Sequence, residues 1–113
     1  MSERFDVAVV GGGVGGIVSA IRLAAAGRSV VLFERNDELG GKLAVRQRDG
    51  YTFDTGPSLL TLPQLFDEVF RLAGSSLAAE IDLVRLDPSF RYFWPDASTV
   101  TFRDEPIATA EAL

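Results

Sequence analysis

A glycine-rich turn between an apolar strand and an apolar helix is the feature that most constrains this fold. Residues 5–10 are apolar apart from Asp6, and residues 11–16 contain five glycines. Apolar side chains then recur at helical spacing from Ile17 to Ala24, and Gly27 suits the left-handed position that ends many helices. A buried-type strand, a glycine turn and a helix in this order predict a Rossmann-like α/β fold with parallel strands.

The spacing of three of these glycines matches G-x-G-x-x-G. Gly11 is predicted to allow the tight turn, Gly13 to let the backbone approach a phosphate, and Gly16 to let helix and strand pack closely. Gly12 and Gly15 are expected only to add freedom. The helix dipole would favour a pyrophosphate at this end. The spacing alone leaves a ligand-free turn equally open, but the flanking strands favour a dinucleotide site at Gly11, Gly13, Val14, Gly15 and Gly16.

An acidic residue follows the second apolar strand. Residues 29–33 are again of the buried type and end at Glu34, 18 residues beyond Gly16. A carboxylate here can accept hydrogen bonds from the adenosine ribose and would repel a 2′-phosphate, which disfavours NADP. Arg35 could hold such a phosphate, but its side chain is expected on the opposite face of the strand. The alternative is an acid that is only solvated.

Composition excludes several classes of function. The chain of 113 residues has a formal net charge of −5, and its 11 basic residues form no cluster, so nucleic acid is not expected as a partner. With no cysteine and no histidine, it offers no thiolate or imidazole chemistry, no usual metal ligands and no covalent flavin anchor. No segment resembles a signal peptide or a membrane span. We expect a cytoplasmic protein, with peripheral membrane contact left open.

Two hairpins and a second helix are predicted downstream. Residues 43–54 would form a hairpin around Asp49-Gly50, and residues 90–102 a second hairpin turning through 95–98. Between them, Thr61 is predicted as the N-cap of a helix that ends at Gly74. The apolar stripe of this helix is interpreted as core, or alternatively as the lining of an apolar substrate cavity; it comprises Leu62, Leu65, Phe66, Val69, Phe70 and Ala73. The aromatic face of Phe90, Tyr92 and Trp94 has the same two interpretations.

Two further segments combine glycines with polar groups. Gly40-Gly41 follows Glu34 closely, and residues 54–58 gather a carboxylate, two hydroxyls and a flexible turn. Each could face a ligand. Each could equally be an ordinary polar turn or a capping loop.

These segments together resemble one family. The chain is similar to the N-terminal part of the carotenoid desaturases, the FAD-dependent bacterial-type phytoene desaturases (phytoene dehydrogenases) within the flavin amine oxidase-like group. The resemblance is carried by residues 6–16, 32–35 and 40–42. It is most specific at residues 53–63, which read Phe-Asp-Thr-Gly-Pro-Ser-Leu-Leu-Thr-Leu-Pro.

The resemblance implies a non-covalent FAD. The glycines of the turn would contact its pyrophosphate and Glu34 its ribose. Arg35, Gly41 and Lys42 would line the extended cofactor, and Gly56, Pro57 and Ser58 would lie nearer the flavin. Many relatives have arginine where this chain has Lys42, and lysine lacks the planar fork needed for a bidentate contact.

The resemblance also implies a longer parent protein. We expect residues 1–113 to be an incomplete FAD-binding domain, ending in a helix that starts near residue 108. We expect it to be inactive alone, and to have open sheet edges through which copies could associate. The parent would oxidise an apolar polyene with no catalytic side chain from this segment, since flavin carries the chemistry. An isomerase, oxygenase or ketolase relative stays open, as do an NAD-dependent dehydrogenase and a non-catalytic lipid-binding relative of the GDP-dissociation inhibitors.

Overall fold

The computed structural model describes residues 3–103, which divide into a unit ending at Ile81 and a unit beginning at Asp82. The predicted helix start near residue 108 lies outside the described residues. Within them, the elements are β1 (Val7–Val10), α1 (Val14–Ala25), β2 (Val30–Phe33), β3 (Val45–Arg48), β4 (Tyr51–Asp54), α2 (Pro63–Leu72), α3 (Leu77–Glu80), β5 (Phe90–Phe93) and β6 (Thr99–Phe102).

The first three elements form the predicted βαβ unit. Strands β1 and β2 are parallel, with Val7 opposite Val30 and Val10 opposite Phe33. Helix α1 ends at Ala25, and Gly27 adopts a φ of +79°. This left-handed residue lets the next amide turn back onto the last helical turn, which returns the chain to β2. The parallel Rossmann-like arrangement is therefore confirmed for this segment.

No residue of β1 or β2 is fully buried, although the apolar sequences of both strands predict burial. Side chains of β1 alternate between half-buried and exposed, and Val10 is 85% exposed. Within residues 3–103, β1 pairs only with β2, so each strand keeps one edge unpaired. A sheet of two strands is too narrow for its apolar side chains to be buried on both faces. The open edges agree with the expected ones, while association through them stays a prediction.

Both predicted hairpins are present. Asp49 and Gly50 have φ values of 52° and 81° between β3 and β4, as a two-residue hairpin turn requires. In the second unit, β5 and β6 are antiparallel. The ring of Tyr92 lies 6.0 Å from that of Trp94 and 5.5 Å, edge to face, from that of Phe102. Tyr92 and Trp94 thus share one face and contact each other, but they are 51% and 46% exposed, so the predicted packing is only partial.

The predicted N-cap of α2 is wrong. The helix begins at Pro63, so the cap position falls on Leu62, and Thr61 lies one residue too early. Leu62 has a left-handed backbone, with φ 54° and ψ 54°, and makes no side-chain capping bond. The proline explains the start of the helix, because its ring already has helical φ and its missing N–H needs no partner there. The predicted end is confirmed, with Gly74 at φ +81°.

A short helix that the sequence did not predict packs against α2. The carboxylate of Asp67 accepts hydrogen bonds from the backbone N–H of Leu77, at 2.9 Å, and from Nε of Arg71, at 2.6 Å. These bonds, led by that from Leu77, lower the pKa of Asp67. Among the described residues, the buried hydrophobic side chains are Val69, 8% exposed, and Leu77, 4% exposed. The core interpretation of the α2 stripe thus holds at Val69, whereas Leu62 and Leu65 are exposed.

Within residues 3–103, no helix is both long enough and apolar enough to cross a bilayer.

Candidate nucleotide-binding site

The glycine turn joins the carboxyl end of β1 to the start of α1. Gly11 has a φ of +102°, a conformation that suits glycine, and its N–H donates to the carbonyl of Phe33 at 2.7 Å. This bond ties the turn to the end of β2. The predicted role of Gly11 in the tight turn is consistent with this geometry.

Gly16 lies where the first turn of α1 crosses the end of β1. A Cβ atom added there would overlap the carbonyl oxygen of Gly11 and would lie 3.5 Å from a methyl group of Val9. The overlapping atom is backbone, which cannot rotate away. Only glycine fits this position without moving the turn, which is the close packing that the spacing predicted.

Gly13 is the N-cap of α1, and the space in front of it is open. Its backbone is extended, with φ −74° and ψ 177°, and a Cβ atom added there would meet nothing within 4 Å. The N–H groups of Val14, Gly15 and Gly16 belong to the first helical turn, which offers no carbonyl acceptors for them. They can bind an anion beside Gly13, where the helix dipole favours negative charge.

Gly12 has a role that the sequence analysis missed. It is buried, and its N–H donates to Oε2 of Glu34 at 2.6 Å. A Cβ atom on Gly12 would overlap the Leu39 side chain and approach Oε2 of Glu34 at 3.1 Å. The expectation that Gly12 only adds freedom is therefore wrong. The missed signal was its position between Gly11 and Gly13, where the turn passes the carboxyl end of β2.

Glu34 is held in place by three hydrogen bonds. Besides the bond from Gly12, its Oε1 accepts from the backbone N–H of Asn36 at 2.9 Å and from Nδ2 of Asn36 at 2.7 Å. The backbone bonds from Asn36 and then Gly12 are the main causes that hold the pKa of Glu34 below its ordinary value. The carboxylate is thus an ionised, oriented group beside the turn, and the alternative of a merely solvated acid does not describe it.

The second glycine pair lies directly against the first turn. Gly40 forms a parallel bridge with Gly13, and its N–H donates to the carbonyl of Gly12 at 2.8 Å. Gly41 has a φ of +61°, and a Cβ atom there would lie 3.0 Å from Cα of Gly13. A segment that is distant in sequence therefore forms one wall of the site, and the structure brings Gly13 and Gly41 together.

The loop after β4 packs on the residues that follow this glycine pair. Both the backbone N–H and Oγ1 of Thr55 donate to the carbonyl of Ala44 at 2.9 Å. A Cβ atom on Gly56 would overlap the carbonyl oxygen of Lys42. Residues 54–58 are therefore linked to the site through residues 42–44. The remaining predicted site residues have exposed side chains, namely Arg35, Lys42, Pro57 and Ser58.

An apolar cavity of about 170 Å³ lies between α1 and α2, next to the turn. It begins at Val14 and Gly40, which adjoin the anion position, and continues along apolar side chains of both helices. The lining residues are Val14, Ile17, Val18, Ile21, Gly40, Leu43, Phe66, Val69 and Phe70. Within residues 3–103 the search for a cluster of three or more histidine, cysteine or acidic side chains able to hold a metal ion finds none.

Comparison with known proteins finds relatives that align with most of this chain. The chain is 46% identical over 99 residues to the 4,4'-diapolycopene oxygenase of Methylomonas sp, an alignment that covers 88% of this chain and 20% of the relative. It is 42% identical over 94 residues to the 4,4'-diaponeurosporene oxygenase of Staphylococcus aureus strain USA300, covering 83% of this chain and 19% of the relative. The resemblance indicated by the sequence motifs is confirmed.

The chain spans about a fifth of the length of these curated relatives. A family model described as an NAD(P)-binding Rossmann-like domain matches residues 9–75, which include the glycine turn, Glu34, Gly40-Gly41 and the loop after β4. This match supports a dinucleotide cofactor. The chain belongs to the family of NAD(P)-binding Rossmann-like domains.

Proposed function

We propose that this chain binds the ADP portion of FAD non-covalently and is part of an FAD-dependent oxidoreductase that acts on a carotenoid-type polyene. The observation that carries the proposal is the position of Glu34, whose Oε2 lies 2.6 Å from the Gly12 amide beside the start of α1. The carboxylate proposed to accept the ribose thus lies beside the helix start proposed to bind the pyrophosphate. This is the pair of groups that an adenine dinucleotide needs.

The residues of the turn fit such a ligand. The open space in front of Gly13 is a place that a Cβ atom would fill, and three helical amides can donate there. Gly11 and Gly16 shape the turn, while Val14 and Gly15 contribute amides to the pyrophosphate. The Glu34 carboxylate would accept a ribose hydroxyl, and its negative charge would disfavour a 2′-phosphate.

The choice of FAD over NAD depends on the second glycine segment. A pyridine-nucleotide domain would share the turn and Glu34, but it does not require Gly40-Gly41. Here that pair is bonded to the turn through Gly12 and contacts Gly13. In our proposal Arg35, Gly41 and Lys42 line the extended cofactor, and Gly56, Pro57 and Ser58 lie nearer its flavin. When bound, FAD supplies the hydride- and electron-accepting chemistry, and this chain binds and orients it.

The substrate class rests on the named relatives and on the resemblance. Both relatives are named as oxygenases, one of 4,4'-diapolycopene and the other of 4,4'-diaponeurosporene. We infer a substrate of that kind for the whole protein, with oxygenation as the first reaction to test and desaturation as the second. Residues 1–113 alone are expected to lack activity. A non-catalytic GDP-dissociation-inhibitor-like role would not require the glycine geometry described above. We further propose a cytoplasmic protein that contacts membranes peripherally to reach its substrate.

The sharpest test compares two glutamates of one loop. Glu34→Gln keeps the size of the side chain but replaces the carboxylate, which accepts hydrogen bonds from Gly12 and Asn36 and would accept one from the ribose, with a neutral amide. We expect FAD affinity, measured by flavin fluorescence on flavin-free protein, to fall about tenfold, as for loss of a charge-assisted hydrogen bond. Glu38→Gln, in an exposed position four residues later, should bind as the unaltered protein does.

The same assay with NAD tests the alternative cofactor. Purified protein should show visible flavin absorbance or take up added FAD, and should bind NAD more weakly. Protein that is colourless and takes up no FAD would overturn the proposal. Preference for NAD would establish the dehydrogenase alternative instead.

A further inference from the structure

We propose that Asn36 is a positioning residue for nucleotide binding, because its two amide donors fix Oε1 of Glu34 and leave Oε2 as the oxygen that accepts the ribose hydroxyl. This inference rests on the proposed function. It assigns a role to a residue that lies outside the glycine motif.

The geometry is that of a carboxylate clamped from two sides. The backbone N–H and Nδ2 of Asn36 donate to Oε1 at 2.9 Å and 2.7 Å. On the other side, Gly12 donates to Oε2 at 2.6 Å. A glutamate side chain at the end of a strand would otherwise sample several rotamers, and ordering it on binding would cost entropy. Because the hydrogen bonds from Asn36 and Gly12 already fix the Glu34 side chain in the folded protein, this entropy is not lost again on binding.

The donors divide unequally between the two carboxylate oxygens. Asn36 directs two donors at Oε1, and Gly12 directs one at Oε2, while the Arg35 amide also contributes to the lowered pKa of the carboxyl. Each carboxylate oxygen can accept about two hydrogen bonds. Oε2 is the oxygen nearest the turn, so one ribose hydroxyl would bind it beside Gly12 while both Asn36 bonds are kept.

A purely structural role for Asn36 makes a different prediction. If the side chain only stabilised the loop, its removal would lower the melting temperature but would not change how binding depends on pH. If it positions Glu34, its removal raises the pKa of Glu34, since donors to a carboxylate favour the ionised form. FAD affinity would then begin to fall at a higher pH as the solution is acidified.

The experiment measures FAD affinity by flavin fluorescence between about pH 4 and pH 8, near the ordinary carboxyl pKa and above it. Asn36→Ala retains the backbone donor and should weaken binding at pH 7 about threefold, the loss expected for one hydrogen bond at an exposed site. Asn36→Asp places a second negative charge beside Glu34 and should weaken it about tenfold. Asn36→Ser, which keeps a short donor, should recover part of the affinity. Gln47→Ala removes an exposed amide from β3 and is the matched control.

A second readout needs no cofactor. Carboxyl NMR of Glu34 in flavin-free protein should show its titration midpoint at higher pH in Asn36→Ala than in the Gln47→Ala control. If unaltered protein binds FAD and Asn36→Ala leaves both affinity and midpoint unchanged, the inference is overturned while the proposed function stands. If unaltered protein binds no FAD, the proposed function fails, and the nucleotide role of Asn36 fails with it.

Discussion

Helices α1 and α2 both begin without a side-chain cap, yet only α1 begins in the proposed nucleotide site. At α1 the cap residue is Gly13, with an extended backbone and open space where a side chain would be. At α2 it is Leu62, with a left-handed backbone and a side chain that is 57% exposed. Pro63 then occupies the first helical position and has no N–H to offer.

The proposed site therefore depends on more than an uncapped helix start. The start of α1 is supported by a carboxylate clamped on Gly12 and by a second glycine segment paired with Gly13. The start of α2 has Pro63 and the left-handed Leu62 instead, and these two residues determine where the helix begins. Three substitutions test this distinction, each acting on one of the two helix starts.

The largest effect is expected from Gly16→Ala. Its new Cβ would overlap the carbonyl of Gly11, so the turn and the first turn of α1 must move apart. We expect FAD binding to be lost and the thermal transition, followed by circular dichroism, to shift markedly downward. Gly15→Ala adds the same methyl group one residue earlier, where it meets nothing within 4 Å, and should keep the melting temperature. Equal melting temperatures for the two variants would refute the packing role of Gly16.

Gly13→Ala should separate binding from folding. The position has backbone angles that alanine adopts readily, and the added Cβ meets no protein atom within 4 Å. Stability should change little, since alanine is only a somewhat poorer N-cap, by about 0.5 kcal/mol. The methyl group would occupy the space assigned to the phosphate, so FAD affinity in the fluorescence assay should fall about tenfold. Unchanged affinity would remove Gly13 from the phosphate contact.

The smallest effect is expected from Leu62→Gly. Glycine adopts the left-handed conformation without the steric cost borne by leucine, so the free energy of unfolding should rise by about 0.5–1 kcal/mol. Urea denaturation would measure it, and FAD affinity should not change. Leu60→Gly, at a position without positive φ, should instead lower stability slightly. Loss of stability in Leu62→Gly would show that its backbone is not strained.

The sequence predicted the features that depend on local chemistry. Glycine and Asp-Gly signals placed the end of α1 and the β3–β4 turn, because positive φ is a property of one or two residues. The close packing of Gly16 also followed from the motif. The spacing of the motif also predicted the approximate position of Glu34 at the end of β2.

Some of the features that it missed depend on neighbours distant in sequence. The bond from the buried Gly12 amide to Glu34 exists only once the ends of β1 and β2 meet. The bonds from Asn36 to Glu34 join residues only two positions apart, and the glycine motif does not extend to that residue.

The helix α3 begins at a local signal, because Oγ of the cap residue Ser76 accepts from the Ala79 N–H. Its attachment to α2 is not local, because the Leu77 amide donates to Asp67, ten positions earlier. The burial of β1 and β2 was mispredicted because an apolar sequence indicates only that a strand favours apolar contacts. The exposure of its side chains depends on how many strands and helices pack beside it.

The hydrogen bond from Gly12 to Glu34 joins residues 22 positions apart, across the entire α1 crossover. Neither Glu34 nor the glycine turn has its final geometry until the Gly12–Glu34 bond forms, so completing the crossover also completes the proposed site. Occupancy of the site would therefore draw the folding equilibrium of the βαβ unit toward the native state by mass action. A substitution far along α1 that destabilises the crossover would then appear as weaker nucleotide retention, although it touches no ligand atom.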